Sequence, residues 1–115
     1  MGKLTTHVLD TASGKPASGV RVRLFSIEND RHLVASIATN DDGRTDAPLL
    51  DDEAYRAGVY EIEFSVGDYF KGTGACNADP PFLDDVVIRI TLSGDDHYHV
   101  PLLVSPWSYS TYRGS

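Results

Sequence analysis

The chain has 115 residues, 41% of them hydrophobic and 23% charged, and its ten Lys and Arg against seventeen Asp and Glu give a formal net charge of −7. This is the composition of a folded chain rather than a disordered one, and its length predicts one domain, residues 1–115, around a single core. The negative balance argues against nucleic acid and anionic membrane as partners, since both are bound through positive surface, but it leaves room for a local cationic pocket.

The opening "MGKLTT" matches an N-myristoylation pattern. However, the strand-like "LTTHVLDT" follows at once and leaves almost no arm to carry a lipid, so the match is set aside. No apolar run approaches the ~18 residues of a membrane span, and no charged-then-apolar signal segment opens the chain. The cytoplasm is therefore the expected compartment.

From there the dominant period is two. "GVRVRLFSI" alternates Val20, Val22 and Leu24 with Arg21, Arg23 and Phe25. "VYEIEFSV" alternates Tyr60, Ile62 and Phe64 with Glu61 and Glu63, and "VVIRITLS" alternates Val86, Ile88, Ile90 and Leu92 with Val87, Arg89 and Thr91. Successive strand side chains point to opposite faces, so each segment has a buried and a wet row. Further strands are predicted at "HLVASIAT", "HYHVPLLVS" and "YSTYR", with a very short one around "RTDA". Gly14-Lys15-Pro16, Asn29-Asp30, Asp42-Gly43 and Gly94-Asp95 fall between the runs as turns, and Pro80-Pro81 marks a rigid loop. Only "DDEAYRAG" and "GDYFKGTGAC" have room for a helix, each of about two turns. The pattern predicts an all-β antiparallel sandwich with one short helix.

Few residues stand out chemically. Cys76, the only cysteine, lies in "GTGACNADPP" with no basic neighbour and no zinc spacing, and reads as an unpaired thiol in a turn. Asn40-Asp41-Asp42-Gly43 is too short for a calcium loop and reads as hairpin chemistry. That leaves His7 in mid-strand, Arg44 after the hairpin glycine, His97 and His99 either side of Tyr98, and Arg113 with Ser115 at the chain end. Singly, each is most simply a solvated surface group. Parity adds that Tyr98, Val100 and Leu102 form the better core row, so His97 and His99 point away from the core. In the first half, "GKPASGVRVRLF" followed by "ATNDDGRTDAP" taken alone resembles prealbumin-like sandwich modules, in which these features are architecture only.

Taken together, "LTTHVLDTASGKPASGV", "GRTD" and "HYHVPLL…SPWSYSTYRGS" resemble the 5-hydroxyisourate hydrolases, the transthyretin-related enzymes of purine breakdown. The terminal Tyr112-Arg113-Gly114-Ser115 is the most specific mark. Trp107-Ser108 departs from the family pattern, at a strand entry. The resemblance implies a transthyretin-like sandwich of two four-stranded sheets, assembled as a homotetramer. The first, fourth, seventh and eighth strands would share one sheet, and the site would lie in a cleft between dimers.

It also implies a reaction, the opening of the cyclic amide of 5-hydroxyisourate to 2-oxo-4-hydroxy-4-carboxy-5-ureidoimidazoline, with no metal and no organic cofactor. His7, Arg44, His99 and Ser115 would be catalytic. Substrate would be held by His7, Arg44, Tyr112, Arg113, Gly114 and Ser115. Histidine titrates near neutrality, so His7 and His99 can share base and acid work, with His99 favoured as water activator. Arg44 and Arg113 offer forked donors to ureide oxygens. Ser115 would position substrate or water, a nucleophilic Ser115 being the less favoured alternative for want of an oriented Ser-His-Asp set. A non-enzymatic reading, as a transthyretin-like carrier or an adhesive sandwich, stands beside the hydrolase. The coexistence of His7, Arg44, His99 and the tetrapeptide discriminates between them.

Overall fold

A computed structural model of the chain describes residues 2–114. Two sheets pack face to face. The first strand, β1 (Lys3–Asp10), has a strictly alternating burial pattern, with Leu4, Thr6, Val8 and Asp10 turned inward. Lys3, Thr5, His7 and Leu9 form its outer row. A two-residue strand, β2 (Lys15–Pro16), turns back onto its end. The long hairpin β3 (Arg21–Glu28) and β4 (Asp30–Ala38) follows, turned at Asn29, whose φ is 63°. Next come the short β5 (Leu50–Asp51), then β6 (Gly58–Phe64), helix α1 (Val66–Thr73), β7 (Val86–Leu92), β8 (His97–Val104) and β9 (Tyr109–Thr111).

The sheets are β2-β1-β8-β9, with β5 also paired to β1, and β4-β3-β6-β7. Strand alternation built the core as expected. Val22, Leu24, Ile62, Phe64, Val86, Leu92, Leu102 and Val104 are buried between the layers. Each such side chain contributes roughly 1.5–3 kcal/mol by leaving water. One buried carboxylate, Asp10, is fully engaged: Oδ1 accepts the amides of Ala12 and Ser13 at 2.9 and 3.1 Å, and Oδ2 accepts the Tyr69 hydroxyl at 2.8 Å. Burial and that carboxylate push the Tyr69 pKa up to about 12, so it remains a donor. This contact ties α1 to the end of β1.

Four expectations need adjusting. The pairing of β1 with β8 is parallel, from Lys3 opposite His97 to Asp10 opposite Val104, so the first sheet is mixed. Alternation carries no sign of strand direction, and the crossover between layers decides it. That sheet also counts five strands rather than four, because β5 covers the start of β1. "RTDA" yields no strand, only an isolated bridge of Arg44 to His7. Of the two helix candidates, "DDEAYRAG" becomes the turn after β5, whereas α1 forms from Val66 and ends at Gly74 in the left-handed conformation, φ 78°. Cys76 is free, as expected, but buried.

Candidate active site

The outer faces of the two sheets differ in chemistry. On β4-β3-β6-β7 the charges neutralise one another. Arg31 Nε and Nη2 reach Glu61 and Glu63 at 3.0 and 2.9 Å, Arg89 reaches Glu61 at 2.9 Å, and Arg23 pairs with Glu63. Two Arg hydrogen bonds hold the Glu61 carboxyl below its ordinary range. That face carries a ladder of ion pairs running from β4 to β7.

On the other sheet the outer face gathers histidine, arginine and backbone. The parallel register sets Thr5 directly opposite His99, and Thr5 Oγ1 lies 2.8 Å from His99 Nδ1. His7 follows two residues later on the same row, its ring centroid 6.5 Å from that of His99. Arg44 is brought alongside His7 by a turn that Asn40 organises. The Asn40 Oδ1 accepts the amides of Asp42 and Arg44 at 2.9 and 3.2 Å, and the Asn40 amide donates to the Arg44 carbonyl at 2.7 Å. At the apex Gly43 has φ 76°, and its carbonyl oxygen accepts a hydrogen bond from the Val8 amide at 2.8 Å. A Cβ there would stand 2.5 Å from the Val8 oxygen, so only glycine lets the turn approach β1 this closely.

From the other side the chain end returns to His99. β9 pairs antiparallel with β8, and the same register continues past Tyr112 and Arg113 to an isolated bridge between Gly114 and His99. The Gly114 amide donates to the His99 carbonyl at 2.6 Å. A Cβ on Gly114 would lie 3.0 Å from His99 Cδ2, so a larger residue would crowd the ring. Burial first, then the positive charge of Arg44, then His7, push the His99 pKa below its ordinary value. A half-buried ring held neutral in this way keeps a lone pair available near neutral pH.

The structure therefore brings His7, Arg44, His99 and Gly114 together. Arg113 alternates to the opposite face, where its guanidinium sits 4.3 Å above the Tyr98 ring and donates to the His97 carbonyl at 3.4 Å. Tyr112 is exposed, and Ser115 lies outside the described residues. His97 is exposed beside the site, pointing outward as its parity requires. Sequence reasoning missed Thr5 and Asn40. The signal for Thr5 was its place two residues before His7, on the same row.

Two open depressions flank these residues. One of about 320 Å³ is lined by Lys3, Thr5, His97, Tyr98 and His99, and one of about 170 Å³ by Thr5, Arg44 and Asp46 among others. A larger cavity of about 440 Å³ lies by Asp10, Lys15 and Tyr69. It has no comparable chemistry, because its carboxylate is consumed by three internal donors. Among the described residues no group of three or more His, Cys, Asp or Glu is placed to hold a metal.

Known proteins share this arrangement of strands. The model of the HIUase/Transthyretin family matches residues 4–114. A 5-hydroxyisourate hydrolase of Deinococcus radiodurans is 60% identical over 97% of this chain and 95% of that relative. Among solved structures, an (S)-allantoin synthase superposes with a TM-score of 0.94 at 47% identity. It covers 99% of this chain, which spans only 44% of that longer one. A 5-hydroxyisourate hydrolase of Klebsiella pneumoniae gives 0.84 at 34% identity, each chain covered in full. By sequence and by fold, this chain belongs to the HIUase/Transthyretin family.

Proposed function

We propose that this chain hydrolyses 5-hydroxyisourate to 2-oxo-4-hydroxy-4-carboxy-5-ureidoimidazoline, as one domain spanning residues 1–115. The observation that carries the reading is the convergence of two histidines and an arginine on one outer sheet face, with His99 wedged between Thr5 and Gly114. A carrier has no need of a histidine pair poised beside an arginine. The naming of relatives as 5-hydroxyisourate hydrolases supports the same reading.

Ring opening by water needs a base for the water proton, donors for the developing oxyanion, and an acid for the departing nitrogen. In this reading His99 takes the proton from water as it attacks the cyclic amide carbonyl. Arg44 steadies the oxyanion, a type of donor whose loss costs about 10²–10³ in rate. His7 protonates the nitrogen as the C–N bond breaks. Tyr112, Gly114 and Ser115 hold the substrate, with Ser115 positioning it or the water. Arg113, expected from the sequence to bind substrate as well, instead braces the chain end against Tyr98 on the opposite face.

The face is open to water in a single chain, so the reading includes a homotetramer in which neighbouring chains close the cleft. A chain whose only cysteine is unpaired also suits the cytoplasm. The direct test is to add the purified protein to freshly oxidised urate and follow the ultraviolet-absorbing intermediate. Decay well above the spontaneous rate is expected, and no acceleration would return the chain to the class of binding modules.

A further inference from the structure

The imidazole of His99 is held on both flanks. Within the ring, Nδ1 and Cδ2 are the two atoms next to Cγ, while Nε2 lies at the far end. Nδ1 is 2.8 Å from Thr5 Oγ1. Cδ2 faces Gly114 so closely that an added Cβ would sit 3.0 Å away. Nε2 is thus the ring nitrogen left for chemistry. A neutral imidazole carries one N–H, and which nitrogen bears it decides whether Nε2 offers a lone pair or a proton.

We infer that Thr5 is the positioning residue of His99: its hydroxyl oxygen accepts a hydrogen bond from Nδ1–H, which fixes the tautomer with the lone pair on Nε2. Two considerations favour acceptance by Thr5 over donation. The ring lies in the positive field of Arg44, where an outward N–H dipole is less favourable than a lone pair. A hydroxyl has two acceptor lone pairs and can send its own proton to water. Thr5 is also β-branched and paired along β1, so its χ1 is stiff and its oxygen stays in place. Thr5 touches no reacting atom. It acts through His99, and the kinetic arm of its test rests on the hydrolase reading.

The test compares the full-length protein with its Thr5→Val and Thr5→Ser variants. Valine keeps the shape and strand preference and removes the oxygen, and serine keeps the oxygen. Long-range proton–nitrogen correlation spectra of protein labelled in the histidine rings, recorded above the ordinary histidine range, report the tautomer directly. The expected result is an Nδ1–H tautomer for His99 in the parent and Thr5→Ser, and mainly Nε2–H in Thr5→Val. With 5-hydroxyisourate as substrate, Thr5→Val should lose roughly 10–100-fold in kcat with little change in KM, and Thr5→Ser should recover most of it. An Nε2–H tautomer in the parent, or a tautomer unchanged in Thr5→Val, overturns the inference. Absence of turnover in the parent would sink the hydrolase reading alone, because the spectra judge Thr5 without it.

Discussion

Asparagine at position 7 or 99 keeps a polar side chain but removes the titrating nitrogen. Both positions lie on an outer row, so little core packing is at risk. His7→Asn and His99→Asn should each lower kcat about 10²-fold or more while leaving the melting temperature nearly unchanged. His97→Asn, at the exposed edge of the depression, should cost far less, and equal losses in all three variants would refute the assignment. The lowered pKa of His99 fixes the sign of a pH experiment. A histidine whose folded pKa is depressed is neutral in the native state down to below 6.5. Base activity should therefore persist on acidification through the ordinary histidine range, with the acid limb of kcat/KM below it. Arg44→Met removes one of the positive charges, so the His99 titration followed by nuclear magnetic resonance should move upward. A downward or null shift would mean that Arg44 does not face the ring.

Turns and chain ends carry the site's placement. Gly43→Ala forces a Cβ to 2.5 Å from a backbone oxygen at a positive φ, and the turn must retreat from β1. The expected cost is about 1–3 kcal/mol, read as a lower urea midpoint, together with loss of activity as Arg44 moves away. Deleting residues 112–115 removes the Gly114 bridge but none of the buried core. The truncated protein should keep its circular dichroism spectrum and lose at least about 10²-fold in turnover. Full activity in the folded truncation would show that the end is dispensable. At this scale the sequence was legible where physics is local. Val20, Val22 and Leu24 declare a strand by alternation, and Asp42-Gly43 declares a turn. Long-range pairing left no such mark. Nothing in "LTTHVLD" says that Thr5 will meet His99, or that "RTDA" makes a single bridge instead of a strand, because both depend on which edge of β1 another segment occupies. Arg113 shows the same limit: its residue type was noticed, but its stacking on Tyr98 follows from register alone.

The two outer faces divide the labour of the molecule. One ties three arginines to two glutamates, whereas on the other, among the described residues, Arg44 and the histidine pair take part in none of these ion pairs. An open site of this kind works best when water is partly excluded, and a tetramer of 12.5 kDa chains is the expected active species. Light scattering at assay concentration should report about four chain masses, and an active monomer would contradict it. One further consequence comes from the parallel pairing of β1 with β8. Their partners are 94 residues apart in the chain, as with Lys3 and His97 or Thr5 and His99. During synthesis at about 5–20 residues per second, β1 would wait roughly 5–20 s with that edge unpaired. The outer row bears on this interval, because Lys3, Thr5 and His7 leave Leu9 as its one apolar residue, and a strand mostly polar on one face is a poor template for aggregation. In the proposed function the same row that carries His7 would thus also shield the waiting edge, and Thr5 does not meet His99 until β8 has been made.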